Sequence, residues 1–510
     1  MKSVAQKLLF IAVAGGAMAS FGAYEANWES LNRHEPPEWL QDAKYGIYAH
    51  WGLYSVPAYG NEWYAKWLYK NQRPDVVDYH RETYGDPSEF GYKDFIPLFT
   101  AEKFDAAEWS KLIKYSGAKY AGLAVVHHDG FMLWDSEVNR WNVGKMGPKR
   151  DLYGELVKAT RAEDMKVIAT FHLLRAFDWM TPPDDKWDQA VEEKWDVVDP
   201  EYADFYWSSK FKTHAEFLNE WKLKVREVVD NYQPDALWFD GGSFREEGVE
   251  ETVMGNLAYY LNKEAEWGKD IEILNKLPTS KKFNFGEDFG MLTFEEGRDR
   301  GPTVPRPWVD DMKISTKGWG YLHGQEYKSA NEIVDGLVDR VARGGGLLLS
   351  LCPLPDGTLN PPQVKVLTEM GDFLTPNGEA IFNTRPWKIH AEGDDAKLNV
   401  QGGKHPVWKF NNCDATDIRF TRSKDLKSLY VITLGYPEGG KLLVKSLGEN
   451  IRISSKGVQS VSSVKTGKPV EWKRSAAGME IKLPAELGRE EIAYAFKVEV
   501  KGSLDMDAQR

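Results

Sequence analysis

Residues Asp235 to Gly242 read DALWFDGG. Ala236, Leu237, Trp238 and Phe239 make an apolar run with no polar face, as in a strand buried on both sides, and Asp240 ends it ahead of two glycines. A carboxylate there either caps its own turn, common chemistry for Asp before Gly, or is aimed into a pocket. The same texture recurs at Gly46 to His50, Ala121 to His127, Lys166 to Phe171, Glu272 to Asn275 and Gly346 to Leu351. Helix-like stretches lie between these runs: Thr100 to Ser116, with Phe104, Ala107, Trp109, Leu112 and Ile113 at helical spacing, and Phe211 to Asn231. This alternation favours an α/β fold, a (β/α)8-like barrel over a doubly wound sheet, because no Gly-x-Gly-x-x-Gly follows the first strand.

Past residue 388 the texture changes. Lys441 to Ser446, Asn450 to Ser454, Val458 to Val464 and Met479 to Leu483 are short and separated by Gly, Lys and Ser turns, which predicts a C-terminal all-β sandwich domain. The expected organisation is a signal peptide at 1–19, a barrel at 25–387 and a sandwich at 388–505. The signal reading rests on Lys2 and Lys7 before an apolar run from Leu8 to Ala19 that ends in Ala17-Met18-Ala19, too short to span a bilayer. It predicts an exported protein, periplasmic or secreted, and no membrane association. Cys352 and Cys413 are the two cysteines, so no disulfide framework holds the fold, and their pairing is left open. Oligomeric state is also left open.

The chain of 510 residues carries a formal charge of -12 with no dense cluster of Lys and Arg, which argues against nucleic acid as a partner. Its 20 tryptophans are large core residues first, and flat faces for sugar rings second. More telling is where polar residues fall. His50, the pair His127-His128, and Asp240 close three separate strand candidates, and in a barrel those ends share one mouth. A lone His at a strand end is usually structural; several at equivalent positions point to a site. Neighbouring strand residues point to opposite sides and no His-Glu-x-x-His spacing appears, so His127-His128-Asp129 is not read as a metal site, and no cofactor is expected. Trp238, two residues before Asp240, is expected to set its ring beside the carboxylate. Paired carboxylates of this kind do glycoside chemistry. The second acid is sought in a later loop, at Glu295 or Glu296 in FEEG, or at Glu287 or Asp288 in NFGEDFG, although paired acids in a loop are usually solvated.

With these residues in hand, the sequence resembles the α-L-fucosidases of glycoside hydrolase family 29. The resemblance is carried by KYGIYAHWG at 44–52, Asn61-Glu62-Trp63-Tyr64, HHDGFMLWDS at 127–136, Trp238-Phe239-Asp240-Gly241, Trp319-Gly320-Tyr321, and Arg343-Gly344-Gly345 leading to Pro353 and Asp356-Gly357. It implies a barrel followed by a β-sandwich, no metal, and retaining hydrolysis of terminal α-L-fucose from a fucosylated glycan. It also implies Asp240 as nucleophile, Glu295 as acid/base with Glu296 as the alternative, and His50, Glu62, Trp63, His127, His128, Trp238 and Trp319 around the sugar. Three departures bear on the sugar and its linkage: Asn275-Lys276 replaces an Asn-x-Arg, Phe171-His172-Leu173-Leu174 replaces a Tyr-x-Ser segment, and the usual Gly-Gly-Asn-Leu-Leu-Leu-Asn reads GGGLLLS at 344–350. The alternatives are the same chemistry on a related sugar such as α-L-galactose, or on a decorated polysaccharide, and a non-catalytic sugar-binding protein. In the sandwich, Trp408, Phe410 and Trp472 are read as packing against the barrel before sugar stacking.

Overall fold

A computed structural model describes residues 23–507 except 71, 243, 277–284, 287, 298–303, 305, 394–412 and 490–491. Eight parallel strands close a barrel: β1 (Tyr45–Ala49), β2 (Tyr120–Val126), β3 (Lys166–Phe171), β4 (Ala236–Phe239), β5 (Glu272–Lys276), β6 (Met291–Glu295), β7 (Trp308–Lys313) and β8 (Gly345–Leu351). β8 closes on β1 with Tyr45 opposite Leu347. The interior is a packed layer of Tyr48, Tyr120, Ala124, Ile168, Trp238, Leu274, Met291, Val309 and Leu348. Gly46 makes room for this layer, since a Cβ there would stand 2.2 Å from the Tyr120 ring.

The helical stretches form where expected, with starts set by their caps. Asp105 accepts from the N–H groups of Ala107 and Glu108, so the helix is Ala106–Tyr115 and the preceding residues stay outside it. Thr213 and Glu216 form a capping box at the head of His214–Tyr232.

Two barrel strands differ from the sequence reading. β6 and β7 read MLTFE and WVDDMK, and among the described residues no helix separates β5 from β6 or β6 from β7. Acidic and basic residues broke the apolar run by which the other strands were recognised. As a consequence Glu295 closes a barrel strand and does not ride on a loop.

The second unit is a sandwich of a five-stranded antiparallel sheet, order β13-β16-β11-β10-β9, and a three-stranded sheet, order β12-β15-β14. Its strands are β9 (Thr384–Glu392), β10 (Ile418–Ser423), β11 (Ser428–Thr433), β12 (Lys441–Val444), β13 (Val458–Ser463), β14 (Trp472–Ser475), β15 (Gly478–Lys482) and β16 (Tyr494–Val500). β9 straddles residue 388. Asn450 to Ser454 is not a strand: it makes a single bridge from Ser454 to Leu504. Trp472 packs on the sandwich's own core and not on the barrel. Trp408, Phe410 and residues 1–19 lie outside the described residues. Cys352 and Cys413 are both free thiols. No described helix is long and apolar enough to cross a membrane.

The helix Ala330–Ala342 is buried almost all round, because β8 covers one side and β9 and β10 the other. Asp339 on this helix accepts from Arg419 of β10 at 2.7 Å and from Arg343 at 3.0 Å, all with buried side chains. Breaking a buried pair leaves an uncompensated charge. Arg419→Ala is expected to destabilise the protein by about 3 kcal/mol, seen as a lower urea midpoint; an unchanged midpoint removes this ion pair as a tie between the two units.

Candidate active site

Side chains two apart on a barrel strand share a face, so each interior apolar residue has a partner one layer nearer the C-terminal mouth. Tyr48 is followed by His50, Ile168 by Thr170 and His172, Trp238 by Asp240, Leu274 by Lys276, Met291 by Thr293 and Glu295, Val309 by Asp311, and Leu348 by Ser350. The apolar core therefore continues upward into a polar layer. That layer floors a pocket of about 410 Å³ lined by His50, Asn61, Glu62, Trp63, Trp67, His127, His128, His172, Arg175, Asp240, Lys276, Glu295, Asp311 and Trp319.

The opening question about Asp240 is settled by its hydrogen bonds. Its backbone N–H continues the ladder to the Phe171 carbonyl at 2.9 Å, while its carboxylate accepts from the Lys276 ammonium and not from its own turn. Gly241 makes that turn at a φ of 67°, and a Cβ there would lie 2.6 Å from Nε of Arg175. Lys276 Nζ also pairs with Glu295 Oε2 at 2.8 Å. Two hydrogen bonds from one nitrogen hold their acceptors within about 6 Å of each other.

Four imidazoles, His50, His127, His128 and His172, crowd the same side. Their centroids stand 4.9 Å apart for His50 and His172 and 4.5 Å for His127 and His128. Burial keeps all four neutral: it drops His127 to about 3 and holds the others well below the usual histidine range. Burial alone would raise Asp240, yet its carboxyl sits well below the ordinary range, and with the imidazoles neutral the cause is the Lys276 ammonium. Burial likewise works against the charge on Lys276, and the Asp240 and Glu295 carboxylates it pairs with more than reverse it.

Both His127 and His128 line the pocket, contrary to the expected alternation, because β2 ends at Val126 after a register shift against β3. Asp129 turns away to accept from Tyr92 Oη at 2.8 Å, and burial raises it to about 6. Glu62 accepts from the Trp319 N–H at 3.0 Å, and burial raises its carboxyl. Trp63 meets His128 edge-on at 5.8 Å, and Trp319 lies 5.2 Å from His50. Trp238 is fully buried under the pocket with its ring 5.6 Å from Lys276 Nζ, so it floors the site and does not face a ligand.

Glu296 lies outside the pocket lining. Its carboxylate pairs with Lys313 and Lys328, each at 2.9 Å, and these cations overcome burial to hold it near about 2. Asp288 is exposed, and Glu287 lies outside the described residues. Among the described residues no group of His, Cys, Asp or Glu is arranged to hold a metal ion. A larger hollow of about 820 Å³ opens between barrel and sandwich, but Lys424 and Lys497 on its wall are paired with Asp42 and Glu379. It gathers no buried polar layer of this kind.

The sequence matches the family described as Alpha-L-fucosidase over residues 11–379, and Alpha-L-fucosidase C-terminal domain over 411–499. The chain belongs to the alpha-L-fucosidase family. It is 31% identical over 469 residues to the plasma alpha-L-fucosidase of Homo sapiens, covering 90% of this chain and 88% of that one. Thermotoga maritima alpha-fucosidase, crystallised in complex with fucose, superposes with a TM-score of 0.71 at 29% identity, covering 93% of this chain and 100% of that chain. The same enzyme in complex with a mechanism-based inhibitor gives a TM-score of 0.72, with 94% and 100% covered. The reaction class is that of a glycoside hydrolase acting on α-L-fucosides.

Within this pocket, Asn61, Trp67, His172, Arg175, Lys276 and Asp311 are the lining residues that the sequence reading did not place in the site. His172 Nε2 lies 3.7 Å from Asp240 Oδ2. It stands just past the end of β3, where His50, His127 and Asp240 stand on their own strands, so the strand-end rule itself would have found it.

Removing the ammonium removes what keeps Asp240 ionised. Lys276→Met is therefore expected to raise the acid limb of kcat/KM on an aryl α-L-fucoside by about two pH units. An unmoved acid limb would show that Lys276 does not set the charge state of Asp240.

Proposed function

We propose that the enzyme is a retaining exo-α-L-fucosidase working by double displacement. Asp240 attacks the anomeric carbon as Glu295 gives its proton to the departing glycosidic oxygen, and a glycosyl-enzyme ester forms. Glu295, now a carboxylate, takes a proton from water; that water attacks the anomeric carbon and frees Asp240. The observation that carries this reading is the shared ammonium. It brings one oxygen of each carboxyl group within about 6 Å of the other, close enough for the roughly 5–5.5 Å separation of retaining enzymes.

The shape of the site supports attack at a chain end. The pocket is closed below by Trp238, and its walls offer neutral imidazoles for sugar hydroxyls beside the faces of Trp63 and Trp319. Fucose suits such a mixture, because its methyl group seeks an apolar face while its hydroxyls need donors and acceptors. The fucose complex of the Thermotoga maritima relative supports the same sugar here. Lys276 stands where substrate must pass between the carboxylates, so binding requires its ammonium to swing aside. The signal-like segment at 1–19, together with a relative named for plasma, supports export.

Asp240→Gly is expected to lower turnover on the order of a thousandfold or more, since the covalent step loses its nucleophile. Azide should then restore activity with the inverted β-fucosyl azide as product. From Glu295→Ala, azide should yield the retained α-fucosyl azide instead. A retained product from the Asp240 variant, or rescue of Glu296→Ala with none at Glu295→Ala, would reassign the roles.

A further inference from the structure

β7 reads WVDDMK with every residue buried, and its two acids take opposite sides of the barrel wall. Asp310 faces outward, accepting from Arg340 Nε at 2.7 Å and from the Gly297 N–H at 2.8 Å. Asp311 faces inward in the wall of the pocket, one layer above Val309. It is 2% exposed, and among the described residues its Oδ1 has no donor in good hydrogen-bond geometry, the Tyr48 hydroxyl being the neutral donor turned toward this carboxyl. In the β6–β7 register Asp311 is the partner of Glu295, so both side chains leave the sheet on the same face.

Among the described residues Lys276 is the ammonium that these carboxyl groups face, and it is already committed to Asp240 and Glu295. The other groups turned toward Asp311 add no second cation. Tyr48 on β1 and Tyr120 on β2 are both kept neutral phenols by burial. Lys313, on the same strand as Asp311, gives its ammonium to Glu296 at 2.9 Å. Of the three carboxyl groups, Asp311 is thus the one least able to carry charge. Burial pushes it well above the usual carboxylate range; Lys276 opposes this, and Glu295 and Asp240 add to the rise.

We infer that Asp311 holds the catalytic proton at rest and shares it with Glu295 across the β6–β7 pair. This rests on the reading of Glu295 as proton donor. In one arrangement Asp311 is a neutral acid and Glu295 a carboxylate paired with Lys276. In the other, the proton has moved from the Asp311 oxygen to a Glu295 oxygen, and Lys276 takes up the charge left on Asp311. No proton enters or leaves, and the net charge is unchanged. Only the second arrangement can protonate a leaving oxygen. Asp311 lies too deep to touch that oxygen, so it is a positioning residue acting through Glu295. Sharing also keeps one proton on the pair until the pH is high enough to charge two neighbouring carboxyl groups.

Asp311→Asn keeps the shape and removes the second proton site. The alkaline limb of kcat/KM should move down by about one pH unit or more. Turnover of a fucoside with a poor alcohol leaving group should fall about tenfold, while an activated aryl fucoside loses less. A residue that only supports packing would lower activity at every pH, so an unmoved limb overturns the inference. Infrared spectroscopy reads the proton directly. At a pH just below its alkaline limb the unsubstituted enzyme should show a neutral-carboxyl stretch that Asp311→Asn lacks at the same pH, or Asp311→Ser where the Asn variant does not fold. Absence of that band overturns the inference. The band reports Asp311 whether or not Glu295 is the acid/base, whereas azide rescue reports Glu295, so the two readings fail separately.

Discussion

The ammonium of Lys276 stands between Asp240 and Glu295 at a depth where neither carboxylate has enough water to be held apart from a cation. Burying like charges side by side is costly, and the penalty is offset only by a well-placed opposite charge. Histidines do not supply it, because burial keeps all four imidazoles neutral. The cation has to come from a residue whose proton survives burial, and a lysine backed by several carboxyl groups does so. Everything else in the pocket is compatible with that choice: neutral donors and acceptors around the rim, an indole beneath the ammonium, and carboxyl groups close enough to act on one anomeric carbon.

The barrel converts this electrostatic need into geometry through the pleat. Strand residues alternate, so a core residue such as Trp238 or Leu274 determines that Asp240 or Lys276 faces inward two positions later. The polar layer needs no loop to aim it. For the strands that were legible in the sequence, this same logic explains why: β1 to β5 and β8 each hold a short apolar run, and a polar residue at or just past its end marks the mouth. β6 and β7 obey the same pleat with a different composition. Asp310 faces Arg340 outside and Asp311 the pocket inside, which places two acids in succession on a wholly buried strand. Neither an apolar run nor a helix after β5 announced them, so Glu295 read as a loop residue.

What was illegible in the site follows from the same cause. His172 and Lys276 stand at departures from a family pattern, and taken singly they bear only on the sugar and its linkage. Their meaning lies in a contact: Lys276 reaches residues 36 and 19 positions away in a chain whose sequence carries no hint of the pairing. Residues that violate local expectation are concentrated where function needs them, and pairing of charges across strands is a property of the closed sheet. Asp240, by contrast, was legible because its anomaly is local, a carboxylate ending an apolar strand.

The neighbouring acids Glu295 and Glu296 show how the fold assigns different work to identical side chains. Glu296 adopts a left-handed conformation, with φ at 50°, and donates its N–H to the Asp311 carbonyl at 2.8 Å. A non-glycine residue holds that conformation only when its surroundings over-determine it. Lys313 and Lys328 do so by gripping both of its carboxylate oxygens. With Glu296 anchored on the flank, the chain has no freedom to roll at the end of β6. Glu295 therefore keeps its inward direction beside Asp311. The ion pairs of Glu296 thus fix the aim of Glu295 without touching a substrate, much as the glycine turn after β4 frees Asp240 from capping its own strand.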